Sequence, residues 1–196
     1  MRRDRLVATP SQTVGPFFYF GLVHQGARGT MTGPAARGER ITLHIRVTDG
    51  DEVPVPDAII ELWQADVDGR YVRPSDPSNL HATDDVPDFT GYGRMPTSTD
   101  GTCRFETIRP GPVSDPSGRV QAPHIDVCVF ARGLLRQIYT RIYFAGDHRL
   151  DDDVVLASVP QDRRATLLAT PLAQAPGAWS FPIRLQGADE TVFFDL

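Results

Sequence analysis

Residues 40–48, Arg40-Ile41-Thr42-Leu43-His44-Ile45-Arg46-Val47-Thr48, decide the architecture. Ile41, Leu43, Ile45 and Val47 alternate with polar residues. Successive side chains of a strand point to opposite faces, so this stretch is a half-buried strand with its polar face outward. Asp49-Gly50 follows as a turn, and Ala58-Ile59-Ile60-Glu61-Leu62-Trp63 supplies the next strand. Further strands are expected over 102–108, after the Asp100-Gly101 turn, and over 125–131, 139–144 and 178–186, with 191–195 closing the chain. One helix is expected over 160–169, with Ser158 as its cap, Pro160 early and Gln161 three residues after the cap. Segments 23–38, 72–99 and 109–122 read as long irregular loops, in keeping with 17 Pro and 17 Gly. The pattern implies an all-β, antiparallel β-sandwich with long loops and one short helix. The expected organisation is a single domain over 1–196 with an N-terminal arm of about 38 residues.

The bulk properties narrow the function classes. The 196 residues carry a net charge of −5, and all 20 basic residues are Arg. Nothing suggests a basic surface for nucleic acid or anionic lipid. No apolar run approaches a membrane span. Met1-Arg2-Arg3-Asp4-Arg5 lacks a following apolar stretch and is not read as a signal peptide. Cys103 and Cys128 both fall in apolar strand-like segments, which points to buried free thiols and a cytoplasmic location.

Ala122-Pro123-His124-Ile125-Asp126 reads as half of a metal site. A His-x-His pair on a strand aims two imidazoles at one point. Here the first position is His124, and the second holds the carboxylate of Asp126. By itself His124 is more simply a structural strand histidine, and His24, His44, His81 and His148 show no ligand-like pairing. Asp151-Asp152-Asp153 reads as a solvated acidic loop, and Asp66-Val67-Asp68-Gly69 as a turn.

Several motifs combine in order: Thr9-Pro10-Ser11-Gln12-Thr13-Val14-Gly15-Pro16; Glu61-Leu62-Trp63-Gln64-Ala65-Asp66 before Gly69-Arg70-Tyr71; Arg109-Pro110-Gly111-Pro112; the His124 strand; Phe130-Ala131-Arg132-Gly133; and Thr140-Arg141-Ile142-Tyr143-Phe144. At these intervals the chain resembles the intradiol ring-cleavage dioxygenases over nearly its whole length, and within them the α subunit of the two-chain members. The resemblance implies the β-sandwich of that family. Its catalytic chains hold a ferric iron with two tyrosines and two histidines, hard phenolate donors suiting Fe(III). Tyr71 matches the first tyrosine, Val113 stands at the second, His124 matches one histidine and Asp126 stands at the other. The basic residue that precedes the strand in the catalytic chains is replaced at Gln121 or its neighbourhood. Two of four ligands are therefore absent, which implies a vestigial site with no metal and no catalytic residue on this chain. Ferric iron is then expected on a β-subunit partner, in an α–β heteromer whose pocket lies between the chains.

The same resemblance makes Arg132 the counter-charge for the ring carboxylate of protocatechuate, and Thr13, Gly15 and Pro16 part of the pocket entrance. The implied product is 3-carboxy-cis,cis-muconate, in the β-ketoadipate pathway of aromatic catabolism. Outside the motif context, Arg132 is a solvated turn residue or an ion-pair partner, Tyr71 is a packed aromatic, and Thr13, Gly15 and Pro16 merely end an arm. Two alternatives stay open. One is a stand-alone non-haem iron enzyme in which His124, Asp126 and His148 form a facial triad. The other is a β-sandwich scaffold without a pocket. The aromatic arm Phe17-Phe18-Tyr19-Phe20 is more easily buried against another subunit than within one sandwich.

Overall fold

The computed structural model describes residues 9–15, 17–23, 27–72 and 88–195. Ten strands and two short α-helices follow one another: α1 (Phe17–Val23), β1 (Arg40–Thr48), β2 (Ile59–Gln64), β3 (Tyr92–Pro96), β4 (Thr102–Ile108), β5 (Val113–Ser114), β6 (Val120–Gln121), β7 (His124–Phe130), β8 (Ile138–Phe144), α2 (Val154–Ala157), β9 (Leu168–Pro171) and β10 (Ala178–Arg184). No helix among the described residues is long and apolar enough to cross a membrane.

Eight strands form one sheet in the order β3-β2-β7-β8-β9-β10-β1-β4, and β5 pairs with β6 as a small hairpin. The alternation in β1 acts as expected. Ile41, Leu43, Ile45 and Val47 are buried, and they join Leu62, Phe105, Val127, Ile142, Phe181 and others in one core. Residues 28–32 bridge the two edges. Arg28 exchanges hydrogen bonds with Arg94 of β3, and Met31 N–H donates to the Glu106 carbonyl of β4 at 2.9 Å. The sheet is thereby nearly closed, with Met31 fully buried.

The sheet is mixed, where uniform antiparallel pairing was expected. β8 and β9 run parallel, as do β1 and β10. Parallel neighbours need a crossover. For β8 and β9 it is residues 145–167, which hold α2 and the 3-10 segments Leu150–Asp152 and Gln161–Leu167. The helix expected over 160–169 is this second 3-10 segment followed by β9. Ser158 does not cap it; its Oγ donates to the Val155 carbonyl at the end of α2. Arg164 takes the Val159 and Ala157 carbonyls, so the chain turns tightly instead of extending one helix.

Other differences have local causes. β3 and the β5–β6 hairpin fall within segments read as loops, because each is short and lacks clear alternation. Residues 191–195 contribute a single bridge, Phe194 to Tyr139. Part of the N-terminal arm is helical: α1 lies against β3, where Arg94 Nη1 donates to the Leu22 carbonyl at 3.4 Å. Both cysteines are free and buried as expected.

Candidate functional site

The candidate metal centre lies on the outer face of β3, β2, β7 and β8. Residues 125, 127 and 129 of β7 enter the core, so 124, 126, 128 and 130 point outward. Strand register lines them up: Trp63, Asp126 and Arg141 form one row, and Glu61, Cys128 and Tyr139 the next. A cleft of ≈580 Å³ opens over both rows, walled also by Phe130 and Phe194.

Tyr71 reaches this face from a loop that touches the one leading to Val113. Asp66 Oδ1 accepts from the N–H groups of Asp68 and Arg70, and Gly111 N–H donates to the Asp66 carbonyl at 2.8 Å. A Cβ on Gly69, whose φ is +77°, would lie 2.0 Å from the Pro112 carbonyl oxygen. The close approach therefore requires glycine. It places Tyr71 at the edge of the outer face. Val113 pairs with Gln121 across the β5–β6 hairpin.

Two of the four ligand-equivalent positions, Tyr71 and Asp126, are bonded to each other, and through Arg141 to Gln121, the strand partner of Val113. Tyr71 Oη donates to Asp126 Oδ2 at 3.2 Å. Arg141 Nε donates to Asp126 Oδ1, and its Nη1 to Gln121 Oε1, both at 2.8 Å. Burial, then the Asp126 charge, pushes the Tyr71 hydroxyl well above the usual tyrosine range, so it stays neutral. Burial pulls the Arg141 guanidinium down, but Asp126 and Tyr143 together outweigh this and hold it up.

His124 is buried, with Nδ1 2.7 Å from the Ala122 carbonyl. A neutral imidazole donates to such a carbonyl through its Nδ1–H. Burial and then Arg141 lower its pKa. Behind it Tyr143 donates to Asp153 Oδ1 at 3.0 Å.

This donor set does not fit ferric iron. Val113 has no donor atom. Tyr71 spends its proton on Asp126, and Asp126 has a permanent guanidinium as its cation. Among the described residues no three His, Cys, Asp or Glu side chains converge as metal ligands. The facial-triad alternative has the same difficulty, since His148 is 79% exposed beside Arg149, while His124 is closed in. His24 and His81 lie outside the described residues.

Asp153 was missed by sequence reasoning. It is fully buried, although the acidic run containing it reads as solvated. It caps α2 through Val155 and Leu156 N–H, and accepts Ala122 N–H at 2.7 Å, just ahead of His124. The last Asp of that run, directly before the apolar Val154-Val155-Leu156, is an N-cap signal that could have revealed it.

The remaining positions lie on turns and on the arm. Arg132 is exposed and paired with Asp57 at 3.0 Å. Thr13 and Gly15 are exposed ahead of α1. Pro16 lies outside the described residues.

Comparison with known proteins identifies the family. A family model described as Dioxygenase matches residues 14–187. The protocatechuate 3,4-dioxygenase alpha chain of Burkholderia cepacia is 42% identical, over 97% of this chain and 98% of that one. The beta chain from the same organism is 32% identical, over 87% of this chain and 74% of its own length. Among solved structures, the dioxygenase domain of a carbohydrate-binding fusion protein from Streptomyces sp. SirexAA-E matches with a TM-score of 0.61. It is 25% identical, over 83% of this chain and 90% of that one. The chain belongs to the intradiol ring-cleavage dioxygenases.

Proposed function

We propose that this chain is the α subunit of a protocatechuate 3,4-dioxygenase, a cytoplasmic heteromer in which a β chain carries the ferric iron. The observation that carries the reading is the Tyr71–Asp126–Arg141–Gln121 network, in which a guanidinium stands beside the carboxylate that replaces a ligand. Similarity along the full length of an α chain supports the same reading. The β partner supplies the iron and the ring-opening chemistry. This chain binds and orients: Arg132 offers its guanidinium to the ring carboxylate, while Thr13, Gly15 and Pro16 line the entrance. We read residues 1–196 as one sandwich domain with an arm of about 38 residues.

Partnership is supported by exposed apolar surface. Phe17 is 79% exposed and Phe20 57% on α1, and Trp63 is 48% exposed on the outer face. Exposed aromatic residues of this kind are the expected anchors of a protein interface.

The test is co-expression with a β chain. The pair is expected to co-purify and to convert protocatechuate to 3-carboxy-cis,cis-muconate, while this chain alone does not. Full turnover by the lone chain would refute the assignment. A bare scaffold predicts that Arg132→Ala leaves the KM of the pair untouched.

A further inference from the structure

β2 and β7 pair antiparallel with Ile59 opposite Phe130. Carried two residues beyond the ladder, this register sets Asp57 opposite Arg132. The Asp57 carboxylate meets Arg132 Nη2 at 3.0 Å.

Both ends of the pair stand on constrained backbone. Asp57 has a left-handed φ of +64°, a conformation Asp tolerates better than most side chains. Its loop is pinned by Thr97, whose Oγ1 donates to the Val55 carbonyl and whose N–H donates to the Ala58 carbonyl, both at 2.8 Å. Arg132 sits in a turn closed by Leu134 N–H on the Ala131 carbonyl at 3.3 Å, with Gly133 at φ +90°. The two side chains are 52% and 41% exposed. A pair this wet contributes little to stability, so stability alone does not account for an aspartate held in that backbone conformation.

We propose that Asp57 is the positioning residue for Arg132. It takes the Nη2 corner of the guanidinium and leaves the remaining N–H groups for an incoming carboxylate. A free arginine must freeze several rotatable bonds to bind, whereas a pre-paired one has already lost part of that freedom. The device discriminates by charge: an aromatic carboxylate gains from the ordered guanidinium, and a catechol without one does not. The inference rests on the reading of Arg132 as the substrate's counter-charge.

The test is steady-state kinetics of the α–β complex on protocatechuate and on 4-methylcatechol, which lacks the ring carboxylate. Asp57→Ala is expected to raise the KM for protocatechuate about 3–10-fold with kcat within about twofold. The KM for 4-methylcatechol should not move, nor should Asp57→Ala add to the effect of Arg132→Ala. Asp57→Glu should restore most of the loss. Asp57→Asn keeps the shape of the side chain and removes its charge, so it guards against a disturbed loop and should behave like Asp57→Ala. If Arg132→Ala raises the KM while Asp57→Ala and Asp57→Asn do not, Asp57 is not the positioning residue and the Arg132 reading stands. If Arg132→Ala has no effect, the reading itself fails, and the Asp57 proposal with it.

Discussion

Replacing Arg141 by Met removes the only charge that faces Asp126 in the network while keeping most of the side chain's length. At 2.8 Å and an effective dielectric of ~20, the pair's Coulomb attraction is about 6 kcal/mol before desolvation. Asp126 is 39% exposed and Arg141 20%, so water screens part of this attraction. The expected cost lies between that of an exposed pair and a broken buried one, about 2 kcal/mol. For a chain of this size, that lowers Tm by about 4–8 °C. The assay is urea and thermal unfolding of Arg141→Met, Asp126→Asn and the double variant. The double variant is expected to recover about 1 kcal/mol relative to additivity. The Tyr71 hydroxyl gives an independent readout: in Asp126→Asn its absorbance titration moves to lower pH, because the carboxylate that raised it is neutralised. Strict additivity, with Arg141→Met costing less than about 0.5 kcal/mol, would refute the claim that the guanidinium balances Asp126.

Three further outcomes follow from the same contacts. His124 is depressed in the fold by burial, so the unfolded chain binds the extra proton as pH falls below about 6.5. Stability then drops by up to about 1.4 kcal/mol per pH unit, and urea midpoints between pH 7.5 and 5 should fall less steeply in His124→Gln. Asp153→Ala leaves the Ala122 N–H, the Tyr143 hydroxyl and the first turn of α2 without their acceptor; a loss of about 3 kcal/mol or more is expected in denaturant unfolding. Gly69→Ala combines a positive φ with a 2.0 Å clash against Pro112, so it should cost about 2 kcal/mol or more and shift Tyr71, seen as a changed hydroxyl titration.

The strands with clear alternation were legible because burial on one face leaves a period of two, as in 40–48 and 102–108. Tyr92–Pro96 was not, since Gly93 and Pro96 break the pattern and its partners are fixed by the register of β2. The parallel pairings were hidden for a similar reason, because strand direction depends on a crossover that no local pattern encodes. At the site, strand periodicity paired His124 with Asp126, and the resemblance to the intradiol dioxygenases added Tyr71 and marked Val113 as a non-ligand. The part played by Arg141 was illegible: it sits fifteen positions along the chain and meets Asp126 only through the pairing of β7 with β8. Arg132 could be read as an ion-pair partner, but its mate Asp57 emerges only when the β2–β7 register is continued past the ladder.

The central claim is that this chain lends residues to a pocket whose iron belongs to its partner. Metal analysis of the purified α–β complex, with iron counted per pair and each chain then assayed separately, tests it most directly. The account predicts one iron per pair and none retained by this chain. Two irons per pair, or stoichiometric iron on this chain alone, would contradict it and make Asp126 a ligand.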